Sequence, residues 1–200
     1  YHSPKRQRQA GATRRRILAA AVRLFAAQGY MTVTMEMIAR EAKVALATVY
    51  LHFAGRAAMV GALAEEIAAA PELSVEQVEQ VDEDAEPAEQ VRIGARIMRL
   101  VNERTWLIAE ILHSQQRNDP ELARLWTLHC QRHLDAMRRA VSGIASRGGL
   151  RPELTVEAAA DALYALAGTE VYRALALERD WSAEDYELWL FETACRVLLP

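Results

Sequence analysis

Residues 43–53 read KVALATVYLHF. The stretch offers an ammonium at Lys43, hydroxyls at Thr48 and Tyr50 and an imidazole at His52, and it holds no Asn, Gln, Arg, Asp or Glu. Hydroxyls and cations hydrogen-bond to phosphate, which sets register on a duplex without specifying a base. Bidentate recognition of guanine or adenine needs a guanidinium or an amide, and neither is present. A second group of chemically capable residues is His129, Cys130 and His133. The two histidines stand at i and i+4, a spacing that can grip a metal, but Cys130 points about 100° away from His129 on a helix. No third ligand follows at a fixed spacing, so no metal is expected and the group reads as structural or as part of a pocket wall. There is no phosphate loop, no Gly-x-Ser-x-Gly and no metal-ligand frame, so neither catalysis nor a cofactor is expected.

The elements that position these residues are helical. Just over half of the 200 residues are hydrophobic, with few Gly, Pro or aromatics, and apolar residues recur at helical spacing, which implies an all-α protein. No apolar run approaches the roughly 20 residues of a membrane span. The basic, polar N-terminus shows no secretory signal, and Cys130 and Cys195 read as reduced, separate thiols, so a cytoplasmic location is expected. The net charge of -3 hides an asymmetry. Residues 1–60 carry ten Lys/Arg against Glu36 and Glu41, a balance of +8, and the other 140 residues balance to -11. A basic head on an acidic body suggests a polyanion met by the head alone.

About nine helices are expected. Residues 1–11 read as a flexible basic tail, and Thr13 as the N-cap of a first helix that ends at Gly29. Thr34 caps a short second helix, a third spans 45–52, and a fourth runs from Arg56 to about Ala70, so residues 12–70 form one helix-turn-helix domain. Residues 71–89 are an acidic linker or insertion, and 90–200 a second helical domain. Its five helices are placed at about 87–103, 104–116, 120–147, 155–178 and 183–199. No internal repeat stands out.

The run TRRRILAAAVRLFAAQGY, followed by VTMEMIAREAKVALATVYLHFAGRAAMVGAL, resembles the DNA-binding domain of the tetracycline-repressor (TetR) family over residues 13–63. The likeness rests on Ile17-Leu18, Leu24-Phe25, Gly29-Tyr30, Thr34, Ile38-Ala39, Val44, Thr48-Val49-Tyr50, Phe53 and Arg56. It implies a ligand-responsive DNA-binding regulator that holds a palindromic, double-stranded operator as a dimer, as a repressor released by a small-molecule effector. Two positions depart from the family pattern. Lys43 stands where a Gly usually turns the backbone through positive φ, at a cost of about 1 kcal/mol. Ala45 stands where a Ser often caps the third helix, a loss of roughly 0.5–2 kcal/mol.

Within the third helix, Val44, Val49 and Phe53 fall inward, leaving Lys43, Ala45, Leu46, Ala47, Thr48, Tyr50, Leu51 and His52 to be apportioned. The resemblance places Thr48, Tyr50 and His52 on the DNA backbone, with Thr34 and Arg56 adding phosphate contacts. Leu46 and Ala47 then face base edges, where apolar groups meet thymine methyls. The remaining specificity is left to water and DNA shape, and Lys5, Arg6 and Arg8 are free to enter an adjacent minor groove.

By the same resemblance the dimer forms through the eighth and ninth helices. Ala158, Ala162, Ala165 and Thr169 line one stripe, and Tyr186, Trp189, Leu190, Thr193 and Val197 the other. The alternative is that both stripes are internal core. A largely apolar effector site is expected among Met98, Trp106, His113, Trp126, His129, Cys130, His133 and Tyr164, which an ordinary amphipathic core would also explain. Two rival functions remain: a helical small-molecule-binding protein or enzyme with a vestigial DNA-binding head, and a membrane-surface protein using the basic first helix.

Overall fold

The computed structural model describes residues 4–69 and 86–200. Four helices make the head: α1 (Pro4–Gln28), α2 (Met35–Glu41), α3 (Leu46–His52) and α4 (Arg56–Ala68). The body comprises α5 (Pro87–Gln115), α6 (Pro120–Ser146), α7 (Val156–Leu166), the short α8 (Thr169–Tyr172), which continues into a π-helical turn at Arg173–Leu177, and α9 (Ala183–Leu198). The all-α expectation holds.

Three boundaries differ from the sequence reading. Helix α1 starts at Pro4 and runs through Thr13, so residues 4–11 continue the helix and are not a separate tail. Gln, Arg and Ala in that stretch all favour helix, and Gly11 alone opposes it. The helices expected at 87–103 and 104–116 are one rod, α5, because Asn102 to Thr105 contains no breaker. The helix expected at 155–178 breaks after Leu166, where Gly168 N-caps the next turn, and then widens into the π turn. Most of the acidic segment expected at 71–89 lies outside the described residues. Its last residues, Pro87 to Glu89, form the first turn of α5, with Pro87 at the start as its fixed φ favours.

The chain closes over two apolar clusters. The first joins Ile17, Leu18 and Phe25 of α1 to Ile38, Val49, Phe53, Met59 and Leu63, and it continues into the body through Ile108, Ile111, Leu112 and Leu122. The second gathers α5, α6, α7 and α9 around Met137, Val141, Leu163, Tyr186, Leu190 and Leu198. Helix α4 packs on both α5 and α6 and so ties the head to the body. Asn102, 1% exposed, braces the second cluster. Its Nδ2 donates to the Ala167 carbonyl at 3.0 Å and to the Tyr186 hydroxyl at 3.1 Å.

Helix ends follow local rules. Thr34, Asp119, Thr155 and Ser182 each accept hydrogen bonds from backbone N–H groups of the helix they open. Helices α2 and α6 end in the same paired hydrogen bonds: Val44 N to Ala39 O with Lys43 N to Arg40 O, and Gly149 N to Ile144 O with Gly148 N to Ala145 O. In both motifs the residue after the helix is left-handed, Gly148 at φ +70° and Lys43 at φ +53°.

Candidate functional site

The head presents α3 outward. Val49 is fully buried and Phe53 nearly so, which seats the helix on the first core. One face remains open: Lys43, Ala47, Tyr50 and Leu51 are exposed, Tyr50 by 50% and Leu51 by 82%. These positions recur at four-, three- and one-residue steps, one helical stripe beginning at the α2–α3 turn. A helix so held, with a cation at its start and a phenol in its middle, fits the width of a major groove.

The other expected contacts divide. Ala45 is exposed as the N-cap of α3 and, lacking a side-chain acceptor, makes no capping bond. Thr48 and His52 are half-buried at the edge of the stripe. Thr34 is exposed, and its Oγ1 accepts from Met37 N at 3.3 Å. The Glu36 carboxyl is held below its usual range by its own backbone N–H and by the Thr34 hydroxyl. Leu46 is half-buried against the first core, so part of its side chain seats the helix. Leu51 is the exposed apolar residue at the end of the stripe, and the sequence reading missed it. The signal was available, since Leu51 lies four residues after Ala47 on the same face.

Arg56 is engaged within the head. Its Nη1 donates to the carbonyls of Tyr30 at 2.6 Å, Met31 at 3.3 Å and Val33 at 2.7 Å, and the guanidinium lies 4.7 Å from the Tyr30 ring centroid. Those carbonyls belong to the loop between α1 and α2, which has no other helix to continue its hydrogen bonds. Arg56 therefore clasps that loop through Nη1. Other basic side chains of the head are similarly engaged: Arg14 bridges to Glu66 at 2.6 Å, and Arg23 to Glu41 at 2.8 Å.

The residues expected to bind an effector fall into three places. Met98 lines a cavity of about 50 Å³ between α5, α6, α7 and α9. Trp106 and His113 line a smaller cleft of about 10 Å³ with Glu110, Glu170 and Arg173. Trp126, His129, His133 and Tyr164 join His113 in a continuous row of rings across α5, α6 and α7, with the Cys130 thiol beside Tyr164. Successive centroid distances are 5.0 Å for His113–Trp126, 5.5 Å for Trp126–His129, 6.5 Å for His129–His133 and 4.7 Å for His133–Tyr164. Burial pulls the His133 imidazole down to about 4, with His129 beside it adding to the effect, and its Nε2 has no hydrogen-bond partner. His129 is lowered too, chiefly by burial. Tyr164 is pushed up to about 12 by burial and by the neighbouring Cys130 thiol. Among the described residues no group of three or more His, Cys, Asp or Glu is placed to hold a metal ion.

The stripes assigned to pairing also separate. Tyr186 and Leu190, at 0% and 2% exposure, belong to the body's own core and are not available to a partner. Ala158 and Ala165 are exposed, and Ala162, Thr169, Trp189, Thr193 and Val197 are half-buried. Leu188, 52% exposed, joins them on α9. No described helix is by itself long and apolar enough to cross a membrane.

Comparison with known proteins bears on both halves. Residues 17–63 match the family model of the bacterial regulatory proteins, tetR family. No curated protein matches the chain. Among solved structures, NalD of Pseudomonas aeruginosa, the secondary repressor of the MexAB-OprM multidrug efflux pump, is 25% identical, with a TM-score of 0.72 over 95% of this chain and 98% of that one. A bacterial regulatory protein in the tetR family from Rhodococcus RHA1 is 20% identical, with a TM-score of 0.74 over 93% and 96%. SmeT in its triclosan complex is 22% identical, with a TM-score of 0.74 over 94% and 92%. Residues 17–63 thus match the tetR-family model over the helix-turn-helix segment, and the whole chain shares its all-α fold with solved bacterial regulators, one of them described as in the tetR family.

Proposed function

We propose that the protein is a cytoplasmic, ligand-responsive transcriptional repressor that binds a palindromic operator as a homodimer and is released by a small, largely apolar effector. The observation that carries this reading is the exposed stripe Lys43, Ala47, Tyr50 and Leu51 on a helix anchored by Val49 and Phe53, inside the segment matched to the family. Tyr50, Thr48, Lys43 and Thr34 make backbone contacts that set register. Ala47 and Leu51 offer methyl groups to thymine, so direct readout of bases is modest and DNA shape supplies much of the rest.

One recognition helix spans few base pairs, and two-fold pairing fixes a second at a set spacing. The exposed Ala158 and Ala165 on α7, with Leu188 and Trp189 on α9, form the pairing surface. Helix α4 is the mechanical link. Its Met59, Val60 and Leu63 sit in the same core as Ile108, Ile111 and Leu112 of α5, so a shift of the body moves the head. The effector need supply only its differential affinity for the two states, typically about 1–3 kcal/mol. A repressor role is supported by the likeness to NalD, and an apolar effector by the likeness to SmeT, whose complex contains triclosan.

The test is selection of bound duplexes from a random pool at two salt concentrations. A two-fold symmetric site with half-sites about one helical turn apart is the expected result. Sequence-blind binding that vanishes as salt rises would refute the reading.

A further inference from the structure

We infer that the cleft between α5 and α8 takes the primary ammonium of an arylalkylamine, with Glu170 as its countercharge and the adjoining row of rings as the bed for its apolar tail. This deepens the effector reading above and rests on it for its regulatory meaning, although binding can be measured without it.

Two features of the body meet at His113. It lines the cleft with Trp106, Glu110, Thr169, Glu170 and Arg173, and its ring also begins the row that runs through Trp126, His129 and His133 to Tyr164. Cleft and row are therefore one continuous surface, acidic at one end and aromatic along the rest. Glu170 is its uncompensated charge. Arg173 is bonded to Glu178 and lies 3.9 Å from Glu110, whereas Glu170 is exposed and has no basic partner among the described residues. Its Oε2 accepts from the Thr169 hydroxyl at 3.5 Å. A methyl group placed on Gly168 would come within 3.1 Å of the same oxygen, so the glycine at the helix break leaves room for the carboxylate to fold back. The Glu170 charge is felt at His129, His133 and Tyr164, which sets it within electrostatic reach of the row.

Other occupants fail on chemistry. An anion would meet two carboxylates, and the guanidinium beside them is already held by Glu110 and Glu178. A metal ion lacks ligands, since no three suitable side chains converge among the described residues. A wholly apolar molecule would strip water from Glu170 and replace it with nothing. An organic cation gains from the carboxylate and from the faces of the rings together. Burial favours the uncharged form of the His129 and His133 imidazoles, so at neutral pH they do not repel it.

Volume selects the kind of cation. The cleft measures about 10 Å³, room for one water-sized group. A primary ammonium has that size and carries three N–H donors. The carboxylates of Glu110 and Glu170 and the Thr169 hydroxyl line the cleft as acceptors. A trimethylammonium has no donor and is too large to enter.

The site supplies its own reporters. His113, His129 and His133 belong to it, whereas His52 lies in the head. In the full chain labelled with 13C in the histidine rings, at constant neutral pH, we would titrate phenethylamine, which is protonated there, and phenethyl alcohol, which has the same shape without the charge. Hydrocinnamate carries the opposite charge, and N,N,N-trimethylphenethylammonium keeps the charge without the donors. The amine should shift His113, His129 and His133, leave His52 in place, and bind about five- to ten-fold tighter than the alcohol. The trimethylated cation and the acid should bind no tighter than the alcohol. In Glu170→Gln the amine should fall to the level of the alcohol, with the alcohol itself unchanged.

Equal affinity for amine and alcohol in the unaltered protein would overturn the inference, and that comparison needs no variant to fold. Tighter binding of the acid or of the trimethylated cation, or no saturable shift at His113, would overturn it equally. Because the readout contains no DNA, failure to select an operator would count against the regulator and leave the amine site standing, and the converse also holds.

Discussion

The head and the body place their polar groups differently. In the head, Ile17, Leu18, Val33, Ile38, Val49 and Met59 are all but sealed from solvent, and polar side chains stay at the margin, where they hold backbone. Arg56 gathers three carbonyls of one loop, and Thr34 caps α2. In the body, polar groups enter the interior. Asn102 is satisfied there, but Gln90 Oε1, Thr105 Oγ1 and His133 Nε2 are not. A surface that must meet DNA in one geometry gains from a core with few alternative packings. Under the proposed function, a region that responds to a small molecule tolerates buried polar groups left unsatisfied, at a cost in stability.

The contrast can be broken or sharpened by substitution. The largest effect is expected for Arg56→Ala, which strips the Tyr30–Val33 loop of its donor and should lower stability by about 3 kcal/mol in urea unfolding. A variant of unchanged stability with a flatter salt dependence of DNA binding would assign Arg56 to phosphate and not to the loop.

Acid should act on the body next. The His133 imidazole titrates at about 4 in the folded protein and near 6.5 when unfolded. Between those values the unfolded chain binds a proton that the folded chain refuses. The contribution of the neutral imidazole is therefore complete above about pH 6.5 and is lost as pH falls toward 4. We expect a loss of about 2 kcal/mol between pH 7 and pH 5. The dependence should flatten in His133→Leu, as read from thermal unfolding across that range, and an unchanged slope would show that another group is responsible.

A smaller effect compares the two equivalent helix ends. Gly148 closes α6 with a left-handed residue at no steric cost, whereas Lys43 closes α2 in the same conformation with a side chain attached. Lys43→Gly should stabilise the head by about 1 kcal/mol. It should also weaken DNA binding, because a cation leaves the exposed stripe. Improved stability with unchanged affinity would remove Lys43 from the interface. The smallest effect is expected for Gly94→Ala, in the interior of α5 on the cavity wall, where an added methyl meets nothing within 4 Å. The gain should be about 0.5–1 kcal/mol in the midpoint of denaturant unfolding.

Much of the head was legible in the sequence because its rules are local. The cap at Thr34, the stop at Gly29 and the inward set Val49 and Phe53 all follow from spacing and side-chain type. The positive φ at Lys43 was anticipated from the family resemblance, in which a Gly usually stands there. The body was less legible. Met98, Trp106 and His133 were expected together in one effector site, but helical period cannot say which inward face meets which, and the structure distributes them among a cavity, a cleft and a row of rings. Gln90 gave no signal, since a glutamine in the first turns of a helix ordinarily faces water.

The sequence by itself determined the all-α class, most helix ends, the basic head and the reading helix, because periodicity, capping and charge act over one or two turns. The tertiary structure alone decided that Arg56 turns inward to the Tyr30 loop, that Leu46 seats α3 while Leu51 projects, that Tyr186 and Leu190 belong to the core, and that Gln90 is enclosed without a donor. Each of those outcomes depends on which side chains from distant turns arrive at the same place, and packing settles that only when the helices close on one another.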